Sequence, residues 1–447
     1  MRCLVIYTFA LLAAFLPTAN VLAQQRFPPP EFDNGYQIAA TTTPTSRAII
    51  FQYLDVVLLA ACLAIALWFI YGRRSRRGVF WLSLFSLGYF GFYRKGCVCP
   101  IGSPQNIIYG LFHSTYAVPL TVVAFFALPL FVALVGGRAF CAGVCPQGAL
   151  RDFFLVKPVK VPAWLEHGLG TIPFIFLGAG LAYAATGAGF IICRFDPFVP
   201  VFRLSGSLFM LSAGAVFLLT GLFVGRPYCR FLCPYGALLK LASLVSRWKV
   251  SVTPDLCIQC RLCENACPYG AMREPAANSA VPIIKLERAR LGWLLVLLPG
   301  LIAGGALAGS RLSTAAAHLH PGVALAELHL LQQKSPAHYA PMTPEALSLA
   351  RAERNPAAIL AAAADLRRRF RFATALFGGW VGLVFGVKLI ALSVRPQRSD
   401  YEQDRGACLA CARCFSYCPN EAARPGVGPT GNEPVPAVTT LNARGGT

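Results

Sequence analysis

A chain of 447 residues that is 56% hydrophobic and only 13% charged is too apolar for an ordinary soluble globule. Its formal net charge of +21 is large enough for nucleic-acid binding. The basic residues, however, gather at the ends of apolar segments, which is the pattern of membrane topology, and no nucleic-acid partner is expected.

Residues 1–23 carry Arg2, an apolar run from Leu4 to Leu16 and the ending Val21-Leu22-Ala23, the pattern of a signal peptide cleaved after Ala23. Residues 24–48 are Pro-, Thr- and Gln-rich and are expected to be a periplasmic linker. A membrane core follows over 49–248. Its first segment, Ile49 to Tyr71, is long enough to cross a ~30 Å hydrocarbon core and ends in Arg73-Arg74-Ser75-Arg76-Arg77, an inside anchor. Val79–Tyr93 returns outward to Arg94-Lys95-Gly96-Cys97-Val98-Cys99. Residues 117–135 come in to Cys141 and Cys145, residues 168–192 go out to Cys193, and residues 206–225 come in to Cys229 and Cys233. Residues 249–290 and 395–447 hold two cysteine-rich halves on the same side. Between them lie a span at 291–309, a periplasmic loop at 310–371 and a span at 372–394. The sum is an all-α polytopic membrane protein with seven spans after the signal peptide. Arg367, Arg368, Arg369 and Arg371 would face outward, against the positive-inside tendency, which weakens in loops of this length. His318, His320, His329 and His338 in that loop are candidate ligands, although surface histidines are usually bland.

The cysteines carry the chemistry. Cys257, Cys260, Cys263 and Cys267 form a C-x2-C-x2-C-x3-C-P run, and Cys408, Cys411, Cys414 and Cys418 repeat it. In ferredoxins with two such runs, the fourth cysteine of each run ligates the other [4Fe–4S] cluster. One cluster is therefore assigned to Cys257, Cys260, Cys263 and Cys418, the other to Cys408, Cys411, Cys414 and Cys267, in one cytoplasmic two-cluster module. Structural zinc also uses C-x2-C pairs, but needs only four of the eight thiols.

A second repeat lies in the core: Arg138-Ala-Phe-Cys141-x3-Cys145-Pro-x-Gly-Ala-Leu recurs as Arg226-Pro-Tyr-Cys229-x3-Cys233-Pro-x-Gly-Ala-Leu. Two parallel copies imply a pseudo-twofold axis along the membrane normal. That axis brings Cys141, Cys145, Cys229 and Cys233 near one another, with Cys97, Cys99 and Cys193 as an outer tier. Soft thiolates select iron–sulfur clusters, zinc or Cu(I), so these seven cysteines are candidates for an additional redox or metal centre. The two tiers would supply relay points between the faces of the membrane.

Together these motifs resemble the NosR/NapH-type membrane iron–sulfur proteins, over about residues 49–275 and 372–420. The resemblance implies electron transfer between the quinone pool or cytoplasmic donors and a periplasmic flavoprotein or reductase, from a bacterial inner membrane. NosR-type members also carry a periplasmic domain with covalent FMN. Here about 25 residues separate the signal from the first span and no S-G-A-T-like attachment motif is present, so the chain is similar to the NosR-like branch without that domain, and any flavin belongs to a partner. The chain is then an electron-transfer oxidoreductase subunit. Competing readings are a copper-reducing assembly factor for a metalloenzyme and a redox-sensing regulator. Asp55, His113, Glu166 and His167 are proton-handling candidates.

Overall fold

The computed structural model describes residues 48–96, 100–114, 116–251, 257, 259–275, 284–318, 320–334, 356–393 and 400–418. The signal peptide, nearly all of the linker, Cys97, Cys99, His338 and the tail beyond Cys418 lie outside them, as does the side chain of His329. The fold is helical except for one pair of two-residue strands. Four helices are long and apolar enough to cross a membrane: 49–72, 163–185, 289–311 and 357–393. Leu120–Gly136 and Leu208–Gly221 are apolar but shorter.

The shorter helices belong to a core whose turns lie close to one another. Gln147 follows the first C-x3-C-P pair, and Asp196 lies in the turn expected on the opposite face. Yet Gln147 Nε2 donates to Asp196 Oδ2 at 3.0 Å, and both residues are buried. The inner and outer turns therefore meet inside the protein rather than standing a membrane apart. Hydropathy registers how long an apolar run is, not how deep its ends lie.

Local sequence explains each turn. Cys145 and Cys233 are the N-cap residues of Pro146–Phe154 and Pro234–Leu244, with proline at the first helical position, where a missing N–H costs nothing. The motif thus starts a helix as well as ending one. Cys233 Sγ accepts from Gly236 N at 3.3 Å. Ser75 and Ser207 cap the Arg76–Ser86 and Leu208–Gly221 helices through their side chains.

Beside this core stands a hairpin of two long helices, Ile284–Arg311 and Pro356–Ser393. Gly305-x3-Gly309 faces Gly378-x3-Gly382. A Cβ at any of these four would run into the opposite backbone, which is small-residue packing suited to lipid, where apolar side chains gain nothing from association. The loop at 310–371 is largely helical in its described part, with helices at Ser313–His318 and Pro321–Lys334 and the last long helix beginning at Pro356. Its basic cluster is neutralised locally: Arg367 pairs with Glu327 at 2.7 Å, and Arg368 and Arg369 pair with Asp365 at 2.8 and 2.7 Å. His318 Nδ1 lies 2.7 Å from Glu327, and His320 Nδ1 accepts from Gly322 N.

Candidate functional site

The two cysteine-rich segments, some 140 residues apart in sequence, fold into one module. β1 (Met272–Arg273) pairs antiparallel with β2 (Glu402–Gln403), with Met272 opposite Gln403. The short helices Leu262–Ala266 and Arg413–Tyr417 pack together. Each cysteine loop repeats the other's backbone. Gln259 and Arg261 have φ of 53° and 60°, and Ala410 and Ala412 have 54° and 62°, so the residues on either side of the second cysteine are left-handed in both runs. Non-glycine residues rarely adopt this conformation, and two matched pairs mark a shared requirement of the loop.

Asp404 joins the halves. Its carboxylate accepts from Arg273 Nη2 at 3.0 Å and from Gly406 N and Ala407 N, its own N–H donates to Ala271 O at 2.7 Å, and its carbonyl accepts from Cys408 N at 2.8 Å. Burial opposes its ionisation, but Arg273 outweighs that and holds the carboxyl below its ordinary range.

The thiols of the two runs lie in adjoining neighbourhoods. A pocket is lined by Cys267 of the first run with Cys408, Cys411 and Cys414 of the second, closed by Tyr269 and Met272. Cys263 in turn lies within electrostatic reach of Cys257, Cys260 and Cys418; burial first, then these neighbours, push its thiol up to about 11. Burial likewise raises Cys408 to about 12, with Cys411 and Cys267 adding to it. Such thiols ionise when a metal takes the proton's place. Ala271 N and Ala410 N each lie 3.4 Å from a cysteine sulfur, of Cys267 and Cys408, the kind of donor that tunes an iron–sulfur centre. Among the described residues no three His, Cys, Asp or Glu side chains are close enough to hold a single metal ion. One zinc ion, at a Zn–S distance of about 2.3 Å, would draw four thiolates to within about 4 Å of one another.

The module sits on the core through a buried polar network that sequence reading missed. Asp152 accepts from Arg226 Nε and Nη2 at 2.9 and 2.6 Å, from Tyr269 Oη at 2.9 Å and from Arg76 at 3.3 Å. Burial disfavours its charge, but Arg226, with Arg76 and Tyr269, holds its carboxyl well below the usual range. Arg138 Nη1 donates to Gly406 O at 3.3 Å. The one signal in the sequence was the arginine three residues before each C-x3-C pair.

Cys141, Cys145 and Cys233, with Cys229, lie within electrostatic reach of one another, so the two repeats do converge. Cys193 stands apart from them, its sulfur 3.7 Å from Gln105 Nε2. The proton-handling candidates are all engaged. Asp55 pairs with Arg94 and accepts from Tyr89 Oη, both at 2.8 Å. Glu166 pairs with Arg230, His167 lies 3.3 Å from Lys388, and His113 stacks on Tyr109. Cys62 is buried in the first long helix.

Comparison with known proteins agrees with this arrangement. A family model described as a 4Fe-4S binding domain matches residues 118–162, 207–253 and 263–286, and another of the same description matches 249–272. The first two stretches each contain one C-x3-C-P pair. The chain is 28% identical over 213 residues to YccM of Escherichia coli, a protein named for electron transport, covering 43% of this chain and 56% of that one. It is 29% identical over 214 residues to NirI of Paracoccus denitrificans, covering 45% and 31%. It is 26% identical over 242 residues to the regulatory protein NosR of Pseudomonas aeruginosa, covering 49% and 34%. The matches thus span from about a third to just over half of these relatives' lengths. No solved structure matches. The resemblance to the NosR/NapH type is borne out, in a chain that matches 4Fe-4S binding domains and has, among the described residues, four helices long and apolar enough to cross a membrane.

Proposed function

We propose that the chain is a membrane electron conduit in a bacterial inner membrane, with two [4Fe–4S] clusters in a ferredoxin module on the cytoplasmic side. It exchanges electrons with the quinone pool or a cytoplasmic donor on one hand and a periplasmic flavoprotein or reductase on the other. The observation that carries this reading is the joining of the two cysteine runs: Cys267 shares a pocket with Cys408, Cys411 and Cys414. A bound [4Fe–4S] cluster supplies reversible one-electron chemistry. Cys257, Cys260, Cys263 and Cys418 would hold one, and Cys408, Cys411, Cys414 and Cys267 the other. The loops around them bring the Ala271 and Ala410 amides to 3.4 Å from the Cys267 and Cys408 sulfurs. Arg138, bonded to Gly406 of the module and rooted beside Cys141 of the core, ties the module to the membrane part.

The basic run Arg73-Arg74-Ser75-Arg76-Arg77 after the first long helix would put the module's side of the membrane in the cytoplasm. A reporter fused after Thr447 then reads out inside, and an external readout overturns the orientation. The function is tested in sealed proteoliposomes. Reductant supplied on the module's side should reduce an impermeant acceptor on the other side in wild type and not in Cys260→Ala. Equal rates in the two remove the conduit reading.

A further inference from the structure

The core holds a second concentration of soft ligands that the ferredoxin module does not use. Cys141 and Cys145 come from one repeat, Cys229 and Cys233 from the other; Cys141, Cys229 and Cys233 are buried, and Cys145 is half-buried beside them. Three arginines surround them, with Arg138 4% and Arg151 and Arg226 each 1% exposed. Arg151 Nη1 donates to Cys229 Sγ at 3.1 Å, and Arg226 donates to the Cys141 carbonyl. Among the described residues Arg138 Nε and Nη2 and Arg151 Nε and Nη2 are buried with no hydrogen-bond partner beyond the Cys141 thiol beside Arg138.

Charge makes the same point. Arg76, Arg138, Arg151 and Arg226 face only two buried carboxylates here. Asp152 is committed to Arg226 and Arg76, and Asp196 to Gln147 and the Phe198 amide. Stacking of Arg151 on Phe198 and Tyr228, at 4.2 and 4.6 Å, offsets part of the cost of burial. It leaves the N–H edges unsatisfied, and a buried, incompletely paired cation costs several kcal/mol. An anion among the four thiols would satisfy both the excess charge and the open donors.

We infer that Cys141, Cys145, Cys229 and Cys233 ligate a third, anionic iron–sulfur centre between the two repeats, with Arg138 and Arg151 as its hydrogen-bonding counter-ions. Soft thiolates select iron–sulfur clusters, zinc or Cu(I). Four thiolates on a [4Fe–4S] or [2Fe–2S] core leave about two negative charges, the sign and size the arginines call for. The 4Fe-4S family match covers both repeats; the ligand set and its charge partners come from the geometry. Arg138 bonds Gly406 and lies within electrostatic reach of both Cys141 and Cys408, so the centre adjoins the module.

Iron and acid-labile sulfide on the anaerobically purified full-length protein test this directly. The two ferredoxin clusters account for about eight Fe, and the inference requires about two to four more per chain. Those should disappear in Cys145→Ser/Cys233→Ser with the ferredoxin EPR signals intact. The wild-type-minus-variant difference does not depend on the ferredoxin ligand map, so failure of one is distinguishable from failure of the other. Equal iron in wild type and variant overturns the inference, as does stoichiometric zinc or copper lost with these cysteines. If the double variant does not accumulate, Arg151→Gln serves. It keeps all four ligands but removes a donor and a charge, and should lower the midpoint potential of the extra centre alone. An unmoved set of potentials refutes it.

Discussion

Gln105 Nε2 lies 3.7 Å from Cys193 Sγ, and the two residues are 88 positions apart, the same offset that relates Cys141 to Cys229. Equivalent positions of the two repeats therefore meet, as residues do at a twofold axis. The same symmetry governs the arginines. Arg226 reaches Gly148 of the first copy, and Arg138 reaches Gly236 of the second. Each copy's turn is completed by the other's guanidinium, so neither half is a finished structure alone. The symmetry breaks at Asp152, whose counterpart 88 residues on is Lys240. Only one arginine receives a carboxylate, and the other turns to the ferredoxin module.

The two glycines should differ in their tolerance of a methyl group. A Cβ at Gly148 would stand 2.9 Å from the Cys141 carbonyl oxygen and 3.0 Å from Arg226 Nη1; at Gly236 the nearest atoms are 3.1 and 3.4 Å away. Gly148→Ala should destabilise by about 1–3 kcal/mol, and Gly236→Ala by less. Thermal unfolding in detergent gives the order, and an inverted order would count against the reciprocal packing.

Asp152→Ala should be among the most damaging single changes outside the cysteines. It leaves Arg226, 1% exposed, without its carboxylate, a loss of about 3–5 kcal/mol for a broken buried pair. Replacing both partners with apolar residues, as in Asp152→Leu/Arg226→Met, should recover much of the loss. A double variant as unstable as the single one would show that the network does more than neutralise itself.

The cysteine runs were legible because ligand spacing is a covalent constraint that tertiary structure cannot alter; the crossed pairing is what ferredoxins with two such runs imply. The core repeat was legible because its residues recur in order. The contact between Gln147 and Asp196 was not, since an apolar run carries no record of where its two ends lie relative to other turns. Nor was Asp152 found, because it belongs to one copy only and lies 74 positions from Arg226. The Gly305/Gly309 and Gly378/Gly382 pairs were visible as spacings, but only their facing positions give them meaning.

Asp404 makes the joint between the halves sensitive to acid. Its pKa in the folded chain is depressed below an unfolded value of about 3.9, so its contribution is complete above that value and is lost as pH falls through the folded one. Between about pH 5 and pH 3 the wild type should lose stability more steeply than Asp404→Asn, whose side chain does not titrate. Fluorescence-monitored unfolding across that range measures the slopes. Parallel slopes would mean that the Arg273 pair, about a third exposed on each side, is screened by solvent to little effect.

Cys267 and Cys418 offer the sharpest test of the crossed module, because each sits in one run and is assigned to the cluster of the other. Cys267 lines the pocket of Cys408, Cys411 and Cys414, whereas Cys418 acts on Cys263. Cys267→Ala should therefore abolish the signal that depends on Cys411, and Cys418→Ala the one that depends on Cys260. Pairing each change with Cys411→Ala or Cys260→Ala assigns the signals. Cys267→Ala/Cys411→Ala should lose no more iron than Cys411→Ala alone, about four Fe, whereas Cys267→Ala/Cys260→Ala should lose about eight. An uncrossed arrangement predicts the reverse. The distinction holds where each single change leaves the neighbouring cluster's iron in place, which the iron counts of the single variants establish.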